Sequence, residues 1–302
     1  MRSYFAQQRV CEVTTPAVIA YPSCEPGLDN LIVGTRIDPD RWYLRTSPEA
    51  AMKRLLAAGS GDIYQLGPAF RPDPHGRHHL VEFTLLEWYR VGFDLWQLMG
   101  DVEGLLRTVG WVRPLLRLSY NDLFQTCFGV APHELSTAAL AQCVAAQPVG
   151  LTAADFDDRA LLFDCLFACV LEPALARMGA VFLYDFPIEL RAYARLSATA
   201  PSVAQRCELI VDGLELANGY YEITDAAEQA ECFATENATR RRRGLPAVAP
   251  DPAWLAALAA GMPACAGVAL GLERLLLVLG HGHHIDAVSS FAAELDPLVS
   301  AS

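Results

Sequence analysis

The stretch that most restricts what this chain can fold into runs from Ile63 to Tyr89, IYQLGPAFRPDPHGRHHLVEFTLLEWY. It begins with Ile63 to Leu66, which alternates and is rich in strand-forming types, and ends with Val81 to Tyr89, which reads the same way. Pro72, Pro74 and Gly76 lie between them, among arginines and three histidines, and continue neither strand. The pattern predicts two antiparallel strands joined by a long, positively charged loop. Arg71 falls where the first strand ends and Phe83 where the second begins. A guanidinium fork for phosphate beside a ring face for a base suits an anionic, aromatic ligand; a surface hairpin with solvated charges reads about equally well.

A second hairpin is written into Arg206 to Ile223, RCELIVDGLELANGYYEI, where two strand-like runs flank Asp212-Gly213. A two-residue turn there sets Val211 against Leu214 and Ile210 against Glu215. Glu208 shares the parity of Ile210, so Glu208 and Glu215 are expected on one face as diagonal neighbours, roughly 7 Å apart at the backbone. Two such carboxylates can hold a divalent ion whose other positions phosphate oxygens fill, or can simply face solvent. A third stretch, Gly267 to Leu277, reads as a small-residue strand turning at Gly271 into a helix with Arg274 in its first turn, which aims an arginine and backbone N–H groups at an anion.

Elsewhere the reading is coarser. Arg2 to Arg9 predicts a short helix leading into a strand that ends at Pro16. Trp42 to Arg45 is a short strand. Ser47, Pro48 and Glu49 start the next helix as cap, first turn and dipole partner. Ala160 to Tyr184 reads as a buried helix, too interrupted by charge to span a bilayer. Residues from about Ser119 to Met178 read as helices packed around or inserted into a sheet domain. A hydrophobic fraction of 53% with 19% charged residues excludes a disordered chain. Nine cysteines without a CxxC pair read as reduced core residues, and the first residues carry no secretory pattern, so a cytoplasmic protein is expected. A net charge of −12 disfavours a grip on a long nucleic acid backbone. Arg240 to Arg243 reads as a solvated helix end. His75, His78 and His79, like His281, His283 and His284, lack acidic or cysteine partners in sequence and read as loop histidines rather than a zinc site.

Phe70-Arg71, then Gly76 to His79, then Glu82 to Arg90 resemble motif 2 of the class II aminoacyl-tRNA synthetases, in the lysyl branch. The helix and strand near 1–16 resemble motif 1, which forms the dimer interface, and 265–280 resembles motif 3. Asn218, Tyr220 and Glu222 resemble the lysyl-type Asn-Gly-Phe-x-Glu run, with Tyr220 in place of phenylalanine. The resemblance implies one α+β catalytic domain over 1–302, an antiparallel sheet of about six strands flanked by helices, with no anticodon-binding domain. It is similar above all to truncated paralogues that modify translation elongation factor P. The implied chemistry joins a lysine or β-lysine carboxylate to ATP as an adenylate, with release of pyrophosphate, and then passes the aminoacyl group to a lysine of elongation factor P. Arg71, Asp73, His79, Phe83, Gly271 and Arg274 would hold ATP, with Arg71 and Arg274 stabilising the reacting phosphates. Glu208 and Glu215 would hold Mg2+. Glu222 would receive the distal ammonium of the substrate, and Glu49, Glu87 and Asn218 its other amine, with Tyr89 and Tyr220 in the same pocket. A homodimer is implied, and tRNA becomes a less favoured acceptor. Asp73 stands where the family has glutamate, Leu80-Val81 replace Asn-Pro, and Ala269 replaces a glycine, which favours an amino acid other than α-lysine. Two alternatives stay open: a tRNA-charging enzyme without an anticodon domain, and a non-catalytic paralogue that acts as a binding protein.

Overall fold

Both predicted hairpins form where the alternation and turn residues place them. The computed structural model describes residues 1–34, 42–73, 76–148 and 157–291; Pro74 and His75 of the charged loop lie outside these. In chain order the elements are α1 (Arg2–Gln7), β1 (Cys11–Glu12), β2 (Val18–Ile19), β3 (Ile32–Val33), β4 (Trp42–Leu44), α2 (Glu49–Ala57), β5 (Ile63–Phe70), β6 (Glu82–Val91) and α3 (Leu95–Thr108). There follow β7 (Leu116–Ser119), α4 (Tyr120–Phe128), α5 (Thr137–Ala145), α6 (Arg159–Leu166), α7 (Glu172–Met178), β8 (Ala180–Pro187), β9 (Val203–Val211) and β10 (Leu214–Tyr221). The chain closes with α8 (Ala226–Arg242), α9 (Pro252–Gly261), β11 (Cys265–Gly271) and α10 (Leu272–Leu276).

One compact unit takes Met1–Asp94, Gly104–Trp111 and Glu222–Ser302. Its strands pair in the order β1-β5-β6-β11, with β1 parallel to β5 and the others antiparallel, and β2-β4-β3 form a small separate sheet. The strand β5 continues through Pro68 to Phe70, four residues beyond the predicted run. This is possible because β1 pairs only with Ile63 and Tyr64, so Pro68 needs a ladder on one side alone. Phe5 from α1 stacks on Tyr64 at 4.2 Å and meets Trp88 edge-on at 5.5 Å, which fastens the first helix to the β5–β6 hairpin.

The other unit takes Leu95–Glu103 and Val112–Tyr221. Its strands pair in the order β10-β9-β8-β7, with β7 parallel to β8. The helices α4 to α7 lie within the stretch read as helical and bury Tyr120, Phe124, Phe163 and Leu175 against Val181, Leu183 and Ile210. Ser119, Ser136 and Asp158 cap three of those helices through side-chain acceptors.

Among the described residues the two units contribute four such strands each, eight in all, which corrects the expected number of about six. Two strands were masked in sequence. β8 forms the tail of the apolar run read as helix: Gly179, at φ +87°, ends α7 and releases the chain into extended form. β7 has four residues, too few for alternation to register. The arginine run at the end of α8 also differs from expectation. Arg240 is 4% exposed and donates to the carbonyls of Pro246 and Glu25, so it ties a loop down rather than facing solvent. None of the nine cysteines is in a disulfide, and among the described residues no helix is long and apolar enough to cross a membrane.

Candidate active site

The helix α2 begins one residue later than the sequence suggested, with Pro48 as the cap position and Ser47 Oγ accepting from the Glu49 N–H at 3.0 Å. That small shift leaves the Ser47 hydroxyl able to donate to Glu87 Oε2 at 2.7 Å. Tyr89, two residues on along β6 and therefore on the same face, donates to the other Glu87 oxygen at 2.8 Å. Glu222 lies just past β10, where its N–H donates to the Cys265 carbonyl at 3.0 Å. Between these carboxylates sits Lys53, one helical turn after Glu49. Its Nζ is 2.6 Å from Glu49 Oε1 and 2.7 Å from Glu222 Oε2, and 5.0 Å from the centroid of the Trp254 ring. Glu87, Tyr89, Glu222 and Lys53 are all buried. Glycine at 267 is a requirement of this packing: a Cβ there would overlap the Tyr89 ring and come within 2.6 Å of Glu222 Oε1.

Burying Glu87 and Glu222 beside the half-buried Glu49, with one lysine among them, has a clear electrostatic outcome. Burial pushes the Glu87 carboxyl up to about 7, with Glu49 adding to it while Ser47, Tyr89 and Lys53 oppose. Burial likewise raises Glu222, Lys53 opposing and Glu49 and Glu87 adding. For Lys53 burial works the other way, but Glu222 and then Glu49 outweigh it and hold the ammonium charged. Burial and the same carboxylates drive the Tyr89 phenol well up, so it remains a donor. The pocket therefore carries more acidic than basic groups, an arrangement suited to a ligand with ammonium groups.

In the same unit, Arg71 lies at the end of β5, with its guanidinium 5.3 Å from the Phe83 ring centroid, as the hairpin pattern predicts. Its Nε is buried and has no hydrogen-bond partner among the described residues, a donor that an anionic ligand would satisfy. Asp73 is half-buried beyond it. Arg274 stands in the first turn of α10, directly after Gly271, with Nη2 3.1 Å from His79 Nε2 and Nε donating to the His78 carbonyl at 3.4 Å. An arginine can only donate, so this contact needs a lone pair on His79 Nε2. Burial, and then Arg77, Arg274, His79 and His284, push the His78 imidazole down. Glu273 takes the Thr84 N–H on both oxygens, at 2.9 and 3.0 Å, and so fastens α10 to β6. The result is a cluster of cationic and hydrogen-bond-donating groups suited to phosphate.

The second unit holds the paired glutamates. Asp212 and Gly213 adopt φ of +52° and +86°, as a two-residue turn of this type requires, and Ile210 faces Glu215 as predicted. A bulge between Glu215 and Ala217 then shifts the register, so Glu208 faces Asn218 instead of Ala217. Asn218 consequently lies 3.5 Å from a Glu208 oxygen and accepts from Arg206 Nε at 3.3 Å, while Arg206 also donates to Glu208. Tyr220 lies 6.0 Å from the Arg206 guanidinium. Burial raises the Glu208 carboxyl, Arg206 opposing and Glu215 adding. Among the described residues no group of three or more His, Cys, Asp or Glu side chains could hold a metal ion alone. Two carboxylates within each other's field, one of them buried, fit a hard cation whose remaining oxygen ligands come from elsewhere.

Sequence reasoning missed Lys53, Trp254, Ser47 and Gly267. Lys53 had a usable signal, its i,i+4 spacing from Glu49; Trp254, on α9, had none, because that helix reaches α2 only in the folded chain.

The family model "tRNA synthetases class II (D, K and N)" matches residues 1–294. The chain is 41% identical over 295 residues to a protein of Vibrio cholerae, covering 96% of this chain and 91% of that one. It is 38% identical over 298 residues to one of Pasteurella multocida, with 97% and 92% covered, and 39% identical over 294 residues to one of Salmonella heidelberg, with 96% and 90% covered. Each of these relatives is named elongation factor P–(R)-β-lysine ligase. Motif order, the gathered carboxylates and a match along almost its whole length agree: the chain belongs to the class II tRNA synthetase family.

Proposed function

We propose that this chain is an ATP-dependent aminoacyl ligase that activates (R)-β-lysine as its adenylate and transfers it to a lysine side chain of elongation factor P. The observation that carries the substrate half is the gathering of the half-buried Glu49 with the buried Glu87 and Glu222 near one buried lysine, Lys53. The acceptor half rests on the names of relatives at about 40% identity over 96% of the chain.

In the first step the amino-acid carboxylate attacks the α-phosphorus of ATP, and the bond to the pyrophosphate oxygen breaks. Arg71 would bridge the incoming carboxylate and the α-phosphate, and Arg274 with His79 would hold the far end of the triphosphate. Phe83 gives the base a ring face, Asp73 lies at the adenine end, and Gly271 gives the backbone close approach. Glu222 with Tyr89 would receive the distal ammonium, Glu49 and Glu87 the other amine, and Asn218 and Tyr220 complete the recognition. Mg2+ held by Glu208 and Glu215 would supply charge neutralisation on the phosphates. In the second step the acceptor amine attacks the adenylate carbonyl, AMP leaves, and an amide forms. None of these residues need be a nucleophile; positioning and charge complementarity lower the barrier. On this reading the enzyme works in the cytoplasm, where its acceptor serves translation, as a homodimer joined through α1 and β1.

The decisive measurement is ATP–pyrophosphate exchange with (R)-β-lysine and α-lysine side by side. Exchange is expected with both, faster with the β isomer by about tenfold or more in kcat/KM. No exchange with either would replace the ligase by a non-catalytic binding protein.

A further inference from the structure

Lys53 belongs to none of the three motifs, yet it occupies the centre of the carboxylate pocket. Its side chain is 0% exposed, and it bridges two carboxylates from separate parts of the chain: Glu49 in the first turn of α2, and Glu222 on the segment tied to β11 through Cys265. The charged and titratable groups facing this point are Glu49 and Lys53 from α2, Glu87 and Tyr89 from β6, and Glu222. Arg45 interacts with Glu87 but commits its guanidinium to the carbonyls of Thr15, Pro16 and Pro68. A buried ion pair is a poor source of stability compared with apolar packing of the same volume. What the bridge does achieve is geometric: with 2.6 Å on one side and 2.7 Å on the other, one ammonium fixes how far apart Glu49 and Glu222 stand.

We propose that Lys53 is a positioning residue that sets the separation between the two carboxylates reading the two amines of the substrate, and so selects among diamino acids by the spacing of those amines. The proposal rests on the function proposed above. In β-lysine the two amines stand one carbon closer than in α-lysine, while charge and composition are identical. A reading group misplaced by about 1 Å can cost on the order of a hundredfold in rate, so a fixed spacing is enough to separate the isomers.

The test compares the full-length chain and its Lys53→Met variant in ATP–pyrophosphate exchange, with (R)-β-lysine and α-lysine, over a range of pH. The variant should show a KM for β-lysine raised by about tenfold or more, an unchanged KM for ATP, and a ratio of kcat/KM between the isomers that falls towards one. The pH dependence of the amino-acid KM should move to higher pH, because Glu222 loses the cation that favours its ionised form. Lys53→Arg, which keeps the charge but lengthens the bridge, should alter the isomer ratio and leave the pH profile in place. If Lys53→Met does not fold, Lys53→Met/Glu222→Gln removes one negative charge along with the positive one and is compared with Glu222→Gln alone. A further loss of isomer discrimination in the double variant supports the proposal. An unchanged isomer ratio in Lys53→Met, or in the double variant relative to the single one, overturns it and leaves Lys53 a structural ion pair. Absence of exchange in the unsubstituted protein would instead defeat the proposed function.

Discussion

Glu87 shows what one buried carboxyl does to the whole chain. It is 2% exposed, accepts from Ser47 and Tyr89, and is pushed from an ordinary 4.5 up to about 7, chiefly by burial. Because the folded-state value lies above the unfolded one, the folded protein binds the extra proton between them. The contribution is therefore full below about 4.5 and is lost as pH rises through about 7. Glu87→Gln keeps the shape and cannot titrate. In urea unfolding of the substrate-free protein, the unsubstituted chain should lose on the order of 3 kcal/mol relative to Glu87→Gln across that window. Parallel stability curves would mean that Glu87 is ionised throughout. At the same scale, the tight fit of Gly267 against Tyr89 and Glu222 shows why a strand residue without a side chain lies beneath this pocket.

Among the elements, the β9–β10 hairpin carries the clearest contrast between what alternation predicts and what the fold does. Asp212-Gly213 fixes the turn and the first pairs, and the bulge after Glu215 then brings Asn218 opposite Glu208. Glu215 is exposed while Glu208 is buried, so the two carboxylates of the proposed magnesium site are unequal. Glu215→Gln should raise the magnesium concentration needed for half-maximal exchange by about tenfold, the worth of one charged ligand at a partly solvated site. Its unfolding free energy should stay within about 0.5 kcal/mol of the original, as expected of an exposed substitution. Undiminished exchange at low magnesium would move the ion elsewhere. The short strand β7 and the strand β8 escaped the sequence reading for local reasons: four residues carry too little alternation, and an apolar run looks the same whether helix or buried strand until Gly179 is seen to break it.

For the molecule as a whole, the decisive question is the acceptor. With a net charge of −12, the chain offers little general attraction to a polyanion, and the relatives named for elongation factor P match it over 96% of its length. Purified protein supplied with ATP and β-lysine should therefore label elongation factor P at least about tenfold faster than tRNA at moderate salt; equal rates would reverse the choice of acceptor. The family, the α+β class and the two hairpins were legible in the chain alone. Each is written locally, as alternation across a turn, a glycine before a helix, or an arginine beside an aromatic on paired strands, and such patterns depend on residues a few positions apart. Tertiary structure decided which carboxylates share a pocket, since Glu49, Glu87 and Glu222 lie far apart in the chain and meet only when α2, β6 and the segment beyond β10 pack together. It also decided the charge balance there. The protonation of a buried carboxylate is set by lost water and by neighbours within a few ångströms, and Lys53, Trp254 and Gly267 become such neighbours through folding alone.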